Sequence, residues 1–176
     1  MSAADIPLGR QASQLRRAFD RSFADPPRET AADMEDFLAI RIAAAPFALP
    51  LREVTGLFAD KHISPVPSGV RELLGIAGFR GTIVPIYDLG ALLGYAPSSA
   101  PRWLAIAAKA PVALAFDALD GHLRLSRDAI ATDAQARQRH VRESACAPQP
   151  RPIIRLASVL DAIERRARGL ATTAEK

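Results

Sequence analysis

Leu74-Gly75-Ile76-Ala77-Gly78-Phe79-Arg80-Gly81-Thr82-Ile83-Val84-Pro85-Ile86-Tyr87-Asp88-Leu89 is the stretch on which the fold of this 176-residue chain turns. It reads as a helix end, a turn, a buried strand and a capped helix start. Ile83 to Tyr87 is a short apolar run rich in β-branched residues and bounded by turn signals, the pattern of a strand buried on both faces. Pro85 has no N–H to donate, which predicts a sheet edge or a bulge at that point. Asp88 is a good N-cap for the apolar turn Leu89 to Leu93, and Gly94 is a natural stop just beyond it. One fixed charge, Arg80, interrupts the stretch on the turn Phe79-Arg80-Gly81.

Working outward toward the N-terminus, the polar run Asp60 to Ser64 is a loop and Pro65-Val66-Pro67 an extended bridge. Ser68 is placed to cap a short helix that runs to Leu74. Phe37 to Ile42 sets Leu38, Ile40 and Ile42 on one side and Ala39 and Arg41 on the other, a half-buried strand. Ala43 to Pro46 turns the chain and Phe47 to Leu51 returns, so the two form a hairpin. Residues 1–35 read as an extension. Within it Leu15, Phe19 and Phe23 recur at four-residue spacing between charged residues, an amphipathic helix over Gln11 to Phe23 that Pro26-Pro27 stops. Its narrow stripe either docks on the body of the protein or serves a partner.

Toward the C-terminus, Ala96 to Pro101 is a Pro/Ser/Ala linker that divides the chain into lobes of about 37–95 and 102–170, with 171–176 as a tail. Arg102 to Ala107 and Val112 to Phe116 are strands, and Leu123, Leu125 and Ile130 continue an alternating pattern. Arg151 to Leu156 is a last strand. Ser158, with Asp161 three residues on, opens a helix whose apolar face is Val159, Leu160, Ile163 and Ala167, and which Gly169 ends. Arg165, Arg166 and Arg168 then fall in its last turn, where cations suit the negative helix end.

Many short strands, regular turn signals and brief helices give a mainly β protein. Apolar residues are 49% of the chain and charged residues 24%, enough for a real core and ordinary for a globular domain. The lone Cys146 leaves no internal disulfide and no cysteine zinc site, which fits a reducing cytoplasm. Met1 to Gln11 lacks the basic start and apolar core of a signal peptide. No apolar run reaches the roughly 18 residues that cross a bilayer. The formal charge of +4 invites a second reading, a small basic β-barrel that binds nucleic acid. Few aromatic residues are available as a stacking platform for it.

Catalytic patterns are missing. His62, His122 and His140 stand apart among polar residues, with no ligand spacing for a metal. No Gly-x-Ser-x-Gly elbow and no phosphate loop occurs. Asp117 and Asp120 are more simply turn residues than a general-base pair. No cofactor is expected.

The stretch 75–89 resembles the signature of the CheW-like family, the adaptors that couple chemoreceptors to the chemotaxis histidine kinase. Gly75, Arg80, Gly81, Pro85, Asp88 and Leu89 fall in step with it, and Gly78 and Phe79 occupy its usual Asn-Leu positions. The resemblance runs on through Phe37 to Leu89. Val54 takes the Val of a Val-x-Glu step, whereas Gly56 stands where the family commonly has Glu. In the second half, Phe116 and Asp117 take the Val-Asp places of another step, and Ala157 stands where an Asp is usual. Departures of this kind mark a divergent member.

The resemblance implies two intertwined five-stranded barrels of SH3-like type with a groove between them. It implies a non-catalytic adaptor with two partners. One is the regulatory domain of a CheA-type histidine kinase, met by a barrel edge on or near which Val54, Gly56, Gly75, Phe79, Arg80 and Gly81 lie. The other is the cytoplasmic tip of a methyl-accepting chemoreceptor, met at the inter-lobe groove. A cytoplasmic protein recruited to receptor arrays at the inner membrane is the corresponding expectation.

Overall fold

The structure, a computed structural model, describes residues 34–98, 100–132, 140–145 and 150–174. The amphipathic helix expected at 11–23 and Cys146 lie outside the described residues. Two sheets carry the fold. The first contains β1 (Met34–Ile42), β2 (Ala45–Pro50), β8 (Ala118–Ser126), β9 (Ile130–Thr132), β10 (Val141–Ala145) and β11 (Arg151–Ile154), in the order β8-β1-β2-β11-β10-β9. The second contains β3 (Val54–Ala59), β4 (Leu73–Phe79), β5 (Thr82–Asp88), β6 (Trp103–Ala107) and β7 (Ala113–Phe116), in the order β3-β6-β7-β5-β4. The chain exchanges strands between them. β1 and β2 precede the linker 96–101 yet join β8 to β11, and β6 and β7 follow it yet complete the sheet of β3 to β5.

Burial explains why the central strands read as continuous apolar runs. One face of the second sheet closes on Phe79, Val84, Ile86, Leu104, Ala113 and Ala115. The other face, with Tyr87, Ala105, Leu114 and Phe116, enters a larger cluster shared with Leu38, Ile40, Phe47 and Leu49 of the first sheet. The first sheet in turn keeps Phe37, Ala48 and Ile153 on its far side. Each sheet thus wraps a cluster of its own and shares a third, so alternation between polar and apolar is lost in the central strands β2, β5, β6 and β7. It is kept in β8, whose Asp120, His122 and Arg124 face outward. One short helix and one long one seal the shared cluster. They are α1 (Leu89–Leu93) and α2 (Leu156–Ala174), the second burying Val159, Leu160, Ala162 and Ile163. No helix among the described residues is long and apolar enough to cross a membrane.

Several local expectations are corrected. Ser68 to Leu74 is not a helix. The Ser68 hydroxyl accepts from the Val70 N–H at 3.0 Å in a turn, and Leu73 to Phe79 is β4, hydrogen-bonded to β5 as a hairpin. Its glycines hid a strand that burial on the barrel interior stabilises regardless of β-propensity. Pro85 lies neither at an edge nor on a bulge, because β5 is flanked by β4 and β7. Its partner Ile76 exchanges both backbone hydrogen bonds with Ser64 instead, at 2.8 and 2.9 Å. Ile76 and Pro85 are therefore a pair that needs no ladder bond, and the parallel ladder to β7 begins one residue later, at Ile86. Helix α2 starts before Ser158 and continues through Gly169. Ser158 instead meets the buried His140, Oγ to Nδ1 2.8 Å. Arg166 consequently sits mid-helix, 3.3 Å from Glu72.

Candidate functional site

The hairpin β4–β5 ends in a two-residue turn. Arg80 has φ 46° and Gly81 φ 85°, the two positive angles of a type I′ turn, whose twist matches that of the strands it joins. A side chain at the first of these positions costs about 1 kcal/mol, so the turn holds an arginine where glycine or asparagine would strain less. Arg80, Gly81, Thr82 and Ile83 are all exposed at the tip, Ile83 by 69%.

Beside this tip lies a shallow groove of about 420 Å³. Thr55, Gly56 and Phe58 of β3 form one wall, Ala108, Ala110 and Pro111 of the β6–β7 turn the opposite one, and Phe79, Val84 and Ile106 also line it. The Phe58 and Phe79 rings pack in a tilted contact, 58° between planes and centroids 4.8 Å apart. Gly56 makes this possible. A Cβ on it would stand 2.9 Å from Phe58 Cε2, so the missing side chain lets the ring lie across the strand. Lys61 Nζ sits 5.5 Å from the centre of the Phe79 ring, a cation–π contact.

The structure brings Gly56, Phe79 and Arg80 together on this groove, with Gly81 in the adjoining turn. Val54 and Gly75 do not line it. Val54 packs against the shared core, separated from Gly56 by a register shift in the β3–β6 ladder. Gly75 supports the opposite part of β4, against the backbone of Ser64 and Pro65. Phe58 and Lys61 were missed from sequence. The signal for Phe58 was its two-residue spacing from Gly56, which puts both on one face of a strand.

Asp88, Leu89 and Asp117 belong to a second feature. Asp88 is 2% exposed. Its carboxylate caps α1 by accepting from the Ala91 N–H at 3.0 Å, and also accepts from the Ser98 N–H at 2.8 Å. The Ser98 hydroxyl donates to Asp117 Oδ1 at 2.6 Å, and Asp117 Oδ2 accepts from the Ala43 N–H at 2.7 Å. Ala43 and Ala44, with φ 49° and 66°, form the β1–β2 turn in a conformation that alanine resists. Asp117 thereby ties that turn to the linker, a contact across 74 positions of sequence. Leu89 is fully buried beneath it. All four carboxylate oxygens are occupied, and Ser98 has no histidine base in this network, so its chemistry is structural. A hollow of about 280 Å³ opens here, bounded by Ile42, Pro97 and Phe116. Among the described residues no group of His, Cys, Asp and Glu could hold a metal.

Several of the described arginines are ion-paired within the chain. Arg52 and Arg127 converge on Glu35, Arg102 on Asp60, and Arg41 and Arg151 on Asp120. The hydrogen bond from Arg151 holds the Asp120 carboxyl below the usual Asp range, with Arg41 adding to it and partial desolvation opposing. Because the folded pKa is the lower one, the contribution is complete above the unfolded value and fades as pH falls from there toward the folded value. Urea midpoints of the native chain should therefore decline with acidification across and below the ordinary Asp range. Asp120→Asn should start lower at neutral pH and decline less steeply. Parallel pH profiles would show that Asp120 plays no such part.

Comparison with known proteins agrees with this architecture. A family model described as the CheW-like domain matches residues 36–164. Among solved structures, the chain is similar to the scaffolding protein TtCheW from Thermoanaerobacter tengcongensis. The identity is 20% and the TM-score 0.61, over 68% of this chain and 88% of that one. No curated protein matches the chain.

Proposed function

The chain belongs to the CheW-like domain family, and from that premise we propose that it is a non-catalytic adaptor of chemotaxis-type signalling. One surface engages the regulatory domain of a CheA-type histidine kinase. A second engages the cytoplasmic tip of a methyl-accepting chemoreceptor. The kinase surface is the groove between β3 and the β4–β5 tip. The observation that carries this is the conjunction, on one shallow and largely apolar face, of the packed Phe58 and Phe79 rings with Arg80. Apolar anchors beside one orienting charge are how a modest interface concentrates its energy. The receptor surface in this reading is the groove between the two lobes, near the hollow beside Ser98.

Two occupied surfaces on one rigid body transmit a receptor's conformational change without chemistry. The shared core is what makes the spacer stiff, since packed interiors are low in compressibility. Such an adaptor works in the cytoplasm, recruited to receptor arrays at the inner membrane. The arginines paired on Glu35, Asp60 and Asp120 are neutralised locally and add little to a continuous nucleic-acid footprint.

Titration calorimetry against the regulatory domain of each CheA-type kinase from the same genome tests the proposal. Binding to one of them is expected, weakened about thirtyfold by Arg80→Glu with the melting temperature unchanged. Equal affinities of native and variant protein would remove Arg80 from the interface. Absence of binding to every regulatory domain and receptor tip would remove the adaptor function.

A further inference from the structure

We propose that the segment seated in the β3/β4–β5 groove is acidic as well as apolar, and that its carboxylates meet a cationic rim made by Arg80, Lys61 and Lys109. This rests on the adaptor reading above and specifies its partner's chemistry. The groove lining contains one charged residue, Arg80, and no acidic residue. Lys61, exposed, places its ammonium over the Phe79 ring. Lys109 is exposed on the turn whose neighbours Ala108 and Ala110 line the far wall. None of the three forms an ion pair with a described residue. That separates them from arginines 41, 52, 102, 127 and 151, each of which has a carboxylate of its own chain within 3.1 Å.

Three unneutralised cations around an apolar floor repel one another and lower the cost of bringing an anion there. Gly56 contributes by what it lacks. The ring of Phe58 occupies the space over the strand, so β3 offers stacking surface and no carboxylate at that point. A partner with neutral or basic residues flanking its apolar anchors would leave the rim unpaired or meet repulsion, so the rim selects among partners as well as steering them.

The test uses the full chain and the kinase regulatory domain that binds it, by calorimetry in 50 and 500 mM NaCl. Affinity should fall about tenfold or more between the two, because exposed opposite charges are screened over a few ångströms at high salt. Arg80→Gln and Lys109→Glu, both on exposed turns, should each weaken binding at low salt and flatten its salt dependence. Binding to Arg80→Glu should return when the contacting carboxylate of the regulatory domain is replaced by Arg. Tight binding indifferent to salt and to both substitutions would overturn the charge proposal and leave the adaptor standing. Failure of every regulatory domain to bind the native chain would overturn both.

Discussion

Gly75→Ala is expected to destabilise the protein by about 4 kcal/mol, lowering the melting temperature by about 10 °C. The added Cβ would lie 2.2 Å from the Ser64 carbonyl oxygen and 3.0 Å from Pro65 Cα. These are backbone atoms, which cannot step aside by changing a rotamer. Ser64 is held there by its two hydrogen bonds to Ile76, at 2.8 and 2.9 Å, so relief of the clash means breaking that pair. The backbone at Gly75, φ 147°, is one that a side chain resists even with space available. Gly78, two register positions beyond Ile76 in the same strand, provides the control. Nothing lies within 4 Å of its Cβ position, and Gly78→Ala should be neutral or slightly stabilising through the unfolded chain. Urea unfolding of the two variants separates them. A Gly75→Ala loss below about 1 kcal/mol would mean that the 60–65 segment does not press on β4 as described. Loss of kinase binding by Gly75→Ala would then carry a different meaning from loss by Arg80→Glu, since Gly75 acts on the groove only through the fold.

The parts of this fold that could be read in sequence are those set by neighbours along the chain. The hairpin β1–β2, the strands β6 and β7, and the cap at Asp88 with Gly94 behind it all follow from local alternation and turn chemistry, and all are present. β4 could not be read. Leu73 to Phe79 carries two glycines, and only the closure of a sheet around Phe79, Val84 and Leu104 makes it a strand. Pro85 misled because its tolerance depends on what Ile76 does with its own N–H and C=O, a fact located at Ser64. Gly169 misled because the roughly 1 kcal/mol that glycine costs a helix does not by itself end one that already runs from Leu156. For the groove, the family signature pointed to Arg80 and Phe79. The role of Gly56 as the seat of the Phe58 ring needed coordinates, because no local rule says which of two strand neighbours yields space to the other.

Asp88→Ala is expected to cost about 3 kcal/mol, the second largest effect of any single substitution considered. The carboxylate is buried and accepts two backbone hydrogen bonds, from Ala91 at 3.0 Å and Ser98 at 2.8 Å. Loss of the helix cap alone costs about 1 kcal/mol. The Ser98 amide, stripped of its acceptor in a partly buried position, adds about 1–2 kcal/mol. Asp88→Asn should fall between, because its amide keeps one oxygen acceptor and turns an N–H₂ group toward a donor. The more informative variant is the double one. Ser98 donates its backbone N–H to Asp88 and its hydroxyl to Asp117, whose other oxygen holds the strained turn at Ala43. Once Asp88→Ala has released the linker, Asp117 has already lost the geometry of one donor, and removing Asp117 as well should cost less than it does alone. A double-mutant cycle should therefore show coupling of about 1 kcal/mol, measured by denaturant unfolding of native, single and double variants. Strict additivity would mean that each carboxylate supports only its own neighbour. Coupling would mean that residues 96–98 act as a strap, holding the β1–β2 turn of one sheet against the end of β5 in the other.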